Sequence, residues 1–206
     1  VGEGSRVLVL GAGPIGLCAT YWARQRGAAK IVVVAPSDRR KSFALEMGAD
    51  EFIVTAPGAA SADGADASHA ASSTASTPGA QNDIETRIRD ALGGAPDVVF
   101  ECAGFPGAVM QAMTFIRAKG TIVCMGYGLH PESILTAIPL FKELCVRFSM
   151  TYDRADYQEV IDSLAAGQLA PRCMITRTIP LEAMTEALEG LLARAPECKV
   201  LVDPWA

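Results

Sequence analysis

The chain has 206 residues, of which 50% are apolar and 20% are charged, and its net charge is −5 at pH 7. This composition suits a globular fold with a sizeable core, and the acidic balance argues against nucleic acid or a membrane as the main partner. The six cysteines include no C-x-x-C pair, so free thiols in a reducing cytoplasm are expected, with Cys18, Cys124 and Cys145 buried.

The first predicted element is an apolar strand, Arg6–Leu10, which leads into three glycines at G-x-G-x-x-G spacing and then a helix over residues 17–26. In a dinucleotide-binding turn the first glycine permits the bend, the second lets the backbone approach a pyrophosphate, and the third lets the helix pack closely. A strand at residues 30–34 completes a βαβ unit. The pattern therefore predicts a pyrophosphate site on the helix start, at Gly11, Gly13, Pro14, Ile15 and Gly16.

Apolar strands then alternate with helical periods along the chain. Further strands are predicted at residues 51–54, 97–101, 120–125 and 146–151. Helices are predicted at residues 38–47, 83–92, 107–117 and 139–144. This alternation predicts an α/β fold, a doubly wound Rossmann sheet of six parallel strands with helices on both faces.

Residues 57–79 interrupt the alternation with alanine, serine, threonine, glycine, aspartate and proline and no large apolar side chain. Such a segment cannot bury enough surface to offset its ordering entropy. We therefore predict a flexible surface insertion, a passive loop rather than a functional lid.

After the sixth strand the sequence predicts a helix at residues 153–166, a strand at 174–179, a helix at 181–192 and a strand at 199–202. These elements are too few for a core of their own. We expect residues 1–152 to form the dinucleotide-binding domain and residues 153–206 to return, as an α+β segment, to a catalytic domain that precedes Val1. The chain starts without methionine, signal peptide or membrane-spanning run, so a piece of a longer cytoplasmic protein is expected.

Several motifs follow one another along the chain: G-A-G-P-I-G at 11–16, E-M-G-A-D at 46–50, D-V-V-F-E-C-A-G at 97–104, K-G-T-I-V-C-M-G at 119–126, P-L-F-K-E at 139–143, I-T-R-T-I-P-L-E-A-M-T-E-A at 175–187 and C-K-V-L-V-D-P at 198–204. Together and in this order they resemble the cofactor-binding half of medium-chain, zinc-type alcohol and polyol dehydrogenases. The resemblance covers nearly the whole chain except the insertion.

The resemblance implies that a nicotinamide cofactor, NADP or NAD, lies beyond the carboxyl ends of the strands and exchanges a hydride with a small alcohol or carbonyl substrate. It also implies that zinc enters only through an N-terminal catalytic domain that this chain lacks, so the chain alone is expected to be inactive. His69 and His130 have no cysteine or histidine at ligand spacing, so no metal site is predicted within the chain.

The resemblance assigns the nicotinamide end of the cofactor to residues that follow the fourth and fifth strands: Cys102, Ala103, Met125, Gly126 and Tyr127. Cys102 is expected to be a packed thiol rather than a reactive one. Lys199 matches a position where the family places a basic residue on the pyrophosphate, with an ordinary surface lysine as the alternative.

The end of the second strand bears on the type of cofactor. A carboxylate there would bind the adenosine ribose and repel a 2′-phosphate, but this chain has Ala35. Ser37, Arg39 and Arg40 follow closely and carry hydroxyl and guanidinium donors that suit a phosphate. We therefore expect a preference for NADP over NAD, against the alternative that these residues form a solvated basic helix start.

The sixth predicted strand alternates apolar residues and would leave an open sheet edge, which is an association hazard. In the resembled family two nucleotide domains often pair through this strand, so a homodimer or larger assembly is expected. A non-catalytic nucleotide-binding or subunit-interaction module is the alternative function that the sequence leaves open.

Overall fold

A computed structural model describes residues 1–55, 78–129, 131–192 and 197–205. The chain divides into two compact units, and the boundary between them falls between Met150 and Thr151. The predicted insertion lies outside the described residues except for its last two positions, which begin a helix. His69 and His130 also lie outside the described residues.

The first unit is a six-stranded sheet with helices between its strands. Its strands are β1 (Arg6–Leu10), β2 (Lys30–Ala35), β3 (Glu51–Val54), β4 (Val98–Glu101), β5 (Thr121–Cys124) and β6 (Cys145–Phe148). Its helices are α1 (Pro14–Gln25), α2 (Lys41–Glu46), α3 (Pro78–Leu92), α4 (Ala108–Phe115) and α5 (Ala137–Lys142). All strand pairs are parallel, in the order β3-β2-β1-β4-β5-β6, which confirms the predicted doubly wound fold.

The central strands are continuous runs of valine, leucine and isoleucine because helices cover both faces of the sheet. One apolar cluster joins strands and helices across the unit, and it includes Leu8, Val32, Ile88, Phe115 and Ile122. The outermost strand β6 differs, since Phe148 at its end is 82% exposed. Burial in the sheet therefore falls toward this edge.

The burial of the cysteines in the first unit also decreases toward β6. Cys124 on β5 is buried and Cys18 on α1 is half-buried, but Cys145 on β6 is exposed. The prediction that Cys145 is buried is wrong, because an apolar context buries a strand residue only where neighbouring elements cover it. The six cysteines all lie in the described residues, and none of them is in a disulfide.

The E-M-G-A-D motif connects three elements of the first unit. Gly48 follows α2 with a φ of +103°, and a Cβ there would lie 3.0 Å from the Arg24 side chain. Asp50 accepts the N–H of Ile31 at 2.7 Å and a hydrogen bond from Arg24 at 2.6 Å. The motif thus ties α1 and α2 to the start of β2.

Both ends of α4 are held by side chains from the connection between β5 and β6. Glu132 accepts the N–H groups of Gly107 at 2.8 Å and Val109 at 2.9 Å, at the helix start. Lys142 donates to the carbonyls of Met113 and Thr114 in the last turn and of Ile116 just beyond it, at 2.7–2.9 Å. These are the groups that a helix leaves without intrahelical partners. Burial lowers the pKa of Lys142.

Asp97, just before β4, forms ion pairs with two arginines of the first unit. Its carboxylate accepts the backbone N–H of Arg6 at 2.8 Å and a side-chain bond from the same residue at 3.2 Å, and it pairs with Arg117. Burial opposes ionisation of this carboxyl, but the bonds from Arg6 and Arg117 outweigh it and lower the pKa to about 2.

A lowered carboxyl pKa stabilises the fold at pH values above the unfolded pKa of 3.8 and ceases to do so as the pH falls toward about 2. Asp97→Asn is therefore expected to lower the free energy of unfolding by about 1–2 kcal/mol at pH 7, where partial exposure screens the pair, and by less at pH 3.5. Urea unfolding at both pH values measures this difference. The exposed Asp90→Asn is the control, and a penalty at Asp97 that is independent of pH would contradict the prediction.

The second unit comprises α6 (Arg154–Ala165), β7 (Ile175–Pro180), α7 (Met184–Leu192) and β8 (Lys199–Asp203). Strands β7 and β8 pair in parallel. Asp153 and Asp156 form a reciprocal capping box at the start of α6. Large apolar side chains of this unit are exposed, among them Ile161 at 56% and Leu188 at 53%. None of the helices that the structure describes is both long and apolar enough to cross a membrane.

Candidate functional site

The strand order reverses between β1 and β4, and this is where a doubly wound sheet opens a crevice at its carboxyl edge. Four loops end there: the glycine turn after β1 (residues 11–16), the basic loop after β2 (residues 36–40), the β4 loop (residues 102–104) and the β5 loop (residues 125–128). The residues predicted to bind a cofactor in the first unit all lie on these loops or on the first turn of α1.

Two glycines of the glycine turn are required by the fold. Gly11 has a φ of +99°, and its N–H donates to the carbonyl of Val34 at 2.8 Å, which ties the turn to the end of β2. A Cβ on Gly16 would overlap the carbonyl oxygen of Gly11, so only glycine lets α1 start this close to the turn. These two positions explain the first and third glycines of the motif by packing alone.

Gly13 is different, because nothing in the fold requires a glycine there. Its φ of −71° and ψ of 175° are open to any residue, and an added Cβ would meet no atom within 4 Å. It is the N-cap of α1, and as a glycine it has no side chain to cap that helix start. Pro14 follows as the first helical residue, and Ile15 is 53% exposed. The N–H groups of this turn can therefore receive an anion.

The basic loop approaches the glycine turn through one of its two arginines. Arg40, half-buried at the start of α2, donates to the carbonyl of Ala12 at 3.4 Å. Arg39 is exposed and donates to the hydroxyl of Ser37 at 3.4 Å. Ala35, the last residue of β2, is buried and carries no charge. The end of β2 thus presents cations and a hydroxyl beside the turn, and no carboxylate at its last position.

The β4 and β5 loops interlock through glycines. Gly104 has a φ of +67°, and a Cβ there would lie 2.9 Å from the backbone of Tyr127. A Cβ on Gly128 would lie 2.9 Å from the carbonyl oxygen of Gly104. On the other side, a Cβ on Gly11 would lie 3.2 Å from Ala103. The glycine turn, the β4 loop and the β5 loop are therefore in close contact.

Glu101, the last residue of β4, organises this junction. It is 2% exposed, and its Oε1 accepts the N–H groups of Ala103 and Gly104, both at 2.8 Å. Its backbone carbonyl accepts the N–H groups of Met125 at 2.7 Å and Gly126 at 2.9 Å. Glu101 is not among the residues predicted from the sequence, although a glutamate at the end of an otherwise apolar strand is a visible signal.

Two thiols lie near this carboxylate, and their surroundings disfavour the thiolate form. Burial, and then the charge of Glu101, raise the pKa of Cys102 far above its usual range. The same two causes raise the pKa of Cys124 to about 11. Both thiols are thus protonated at neutral pH, and a thiolate is the reactive form. This favours a packed role for Cys102.

The first unit brings together thirteen of the fourteen predicted residues on the loops of one crevice. Met125 and Gly126 are half-buried within it, and Tyr127 is 74% exposed. Lys199 is the exception, since it is the exposed first residue of β8 in the second unit. Among the described residues, no group of three or more histidine, cysteine, aspartate or glutamate side chains could hold a metal ion.

Comparison with known proteins gives a family match. A family model for zinc-binding dehydrogenases matches residues 14–166 of the chain. Sorbitol dehydrogenase from Rattus norvegicus is 29% identical over 189 residues, which are 92% of this chain and 47% of that protein. The chain spans about half the length of the curated relatives it matches.

Solved structures agree with this match. A structure from Sinorhizobium meliloti 1021, described as a zinc-binding dehydrogenase bound to NADP, has a TM-score of 0.76 and 28% identity, covering 99% of this chain and 54% of that one. A structure described as a short chain alcohol dehydrogenase from Escherichia coli CFT073, complexed with NADH, has a TM-score of 0.76 and 26% identity, covering 98% and 52%.

Proposed function

The chain belongs to the zinc-binding dehydrogenase family, and from that premise we propose that its first unit holds a nicotinamide dinucleotide for an oxidoreductase. The substrate would be a small alcohol or carbonyl compound, with which the cofactor, when bound, exchanges a hydride through its nicotinamide ring. The single observation that carries the proposal is Gly13, whose missing side chain serves no packing need at an uncapped helix start.

The residues of the crevice suit the two ends of such a cofactor. The N–H groups of the glycine turn and α1 would receive the pyrophosphate, with Pro14 and Ile15 shaping the helix start. Ala103 and Gly126, on interlocked loops, would border the nicotinamide end. For the adenosine end, Ala35, Ser37 and Arg39 support a preference for NADP, and one structural relative is bound to NADP while another is complexed with NADH.

The described residues do not fit zinc, because they contain no donor set of three or more groups. No chemical step in this chain is therefore assigned to the metal. We propose that zinc and the substrate-activating residues belong to the half of the relatives that this chain does not span, and that the second unit, with its exposed apolar side chains, joins that half.

The test is a titration of the chain with NADH and NADPH, monitored by nicotinamide fluorescence, followed by an assay for alcohol oxidation with and without zinc. Binding without turnover is the expected result. Robust zinc-dependent turnover by the chain alone would contradict the proposal that zinc and the substrate-activating residues lie outside this chain. The second candidate is a non-catalytic nucleotide-binding or subunit-interaction module. Turnover after the half of a relative that this chain does not span has been added would exclude this second candidate.

We also propose that the chain forms a homodimer or larger assembly through β6. Only β5 pairs with β6 among the described strands, so its outer edge is open, and Phe141, Phe148 and Met150 are 82–85% exposed. Phe148→Lys should therefore yield monomers at micromolar concentration, whereas the control Leu45→Lys on α2 should not. Light scattering measures both masses, and a monomeric wild-type chain would overturn the proposal.

A further inference from the structure

The backbone donors of the β4 loop are all occupied within the protein. Cys102 donates its N–H to the carbonyl of Leu10 at 2.9 Å. Ala103 and Gly104 donate theirs to Oε1 of Glu101, both at 2.8 Å. A ligand that lies against this loop therefore meets backbone carbonyls as acceptors, and it must bring hydrogen-bond donors of its own.

The carboxylate that sets this polarity is held firmly. Glu101 is 2% exposed, and its Oε2 lies 2.6 Å from the position that a Cβ on Gly126 would take. The backbone carbonyl of the same residue accepts two N–H groups of the β5 loop. Because the Glu101 side chain accepts two N–H groups of the β4 loop and packs against Gly126, it cannot turn away without leaving those N–H groups unpaired. Its charge also acts on the crevice, since it contributes to the raised pKa of Cys102 and of Cys124.

We propose that Glu101 is a positioning residue that makes the β4 loop an acceptor edge for the nicotinamide-riboside half of the cofactor. This half brings hydroxyl and amide donors, and its ring is cationic when oxidised, so both the occupied N–H groups and the buried negative charge favour it. The phosphates, in contrast, belong at the uncapped start of α1. Glu101 thus gives the crevice a polarity that orients the dinucleotide. The proposal rests on the proposed function.

The test compares Glu101→Gln and Glu101→Leu with the matched changes Glu51→Gln and Glu51→Leu, since Glu51 is exposed on β3. Glutamine retains the acceptor and removes the charge, whereas leucine removes both. Calorimetry measures the affinities for NADH, NAD⁺ and ADP, and hydrogen exchange reports the N–H groups of Ala103 and Gly104. ADP serves as the probe of the adenosine end alone.

Glu101→Leu is expected to weaken NADH about tenfold, to leave ADP unchanged and to expose both amides to exchange. Glu101→Gln is expected to bind NADH as tightly as the wild-type chain does, because it keeps the acceptor. Its affinity for NAD⁺ should nevertheless fall about threefold relative to its affinity for NADH, because only the oxidised ring carries a charge. A merely structural role would not change that ratio. If Glu101→Leu fails to fold, the ratio in Glu101→Gln still decides the proposal.

Unchanged NADH affinity in Glu101→Leu, or an unchanged NAD⁺ to NADH ratio in Glu101→Gln, would overturn this inference while leaving the proposed function standing. Equal losses of ADP and NADH would overturn it as well, since they would show general damage to the crevice. A wild-type chain that binds neither ADP nor NADH would overturn the proposed function and this inference together.

Discussion

Gly13→Asp is expected to weaken NADH binding strongly while raising the stability of the chain. Aspartate is a preferred N-cap residue, and its charge suits the positive start of α1, so the free energy of unfolding should rise by about 0.3 kcal/mol. The same carboxylate occupies the N–H groups that a pyrophosphate would need and repels the phosphates. Loss of two charge-assisted bonds of about 1.5 kcal/mol each weakens binding roughly 100-fold or more.

The affinity for NADH should fall while the free energy of unfolding rises. This combination distinguishes a specific effect from misfolding, because a misfolded variant would lose both affinity and stability. Nicotinamide fluorescence measures the affinity, and urea unfolding measures the stability. Gly2→Asp is the matched control, since it adds the same charge at a site where a Cβ would meet only Ser5 Oγ, at 3.9 Å. Gly16→Ala should instead destabilise the first unit, since its Cβ would overlap Gly11. Undiminished NADH affinity in Gly13→Asp would show that no pyrophosphate lies at this helix start.

The sheet could be predicted from the sequence because its strands are buried on both faces and read as unbroken apolar runs. The predictions for β1 and β3 match residue for residue. Where the observed bounds of an element differ from the predicted ones, a neighbouring strand or residue accounts for the difference. The sixth strand was predicted to reach residue 151 but ends at Phe148, because β5 ends at Cys124 and offers no further partner. The first helix begins at Pro14, three residues before its apolar periodicity, since proline suits a first helical turn.

The candidate site could be predicted only where its signal is local. The glycine turn is contiguous in sequence and was identified. Glu101 was missed because a glutamate at a strand end usually faces solvent, and its burial depends on N–H groups of a loop that folds back onto it. Glu132 was missed for a related reason, because it caps a helix whose first residues lie 22–25 positions earlier in the chain. Such contacts follow from tertiary structure and leave no periodic pattern.

NADPH is expected to bind about tenfold or more tightly than NADH, because one charge-assisted contact to a 2′-phosphate contributes roughly 1.5–3 kcal/mol. Ala35 supplies no carboxylate to repel that phosphate, and Ser37 and Arg39 lie together on the exposed side of the loop. Arg40 is directed instead toward the carbonyl of Ala12 in the glycine turn, a feature that both cofactors would share. The two arginines should therefore have separable effects.

Arg39→Ala should accordingly weaken NADPH about tenfold and leave NADH unchanged, whereas Arg40→Ala should weaken both cofactors. Lys41→Ala, which removes the same charge from the exposed start of α2, is the control and should change neither. Ala35→Asp should shift the preference toward NADH, because its carboxylate accepts ribose hydroxyls and repels the 2′-phosphate. Paired titrations at low and high salt measure these effects, and the arginine contribution should shrink as salt screens it. Equal affinities for the two cofactors, or a preference for NADH, would show that the loop after β2 does not bind a phosphate and that Ala35 is only a missing ribose contact.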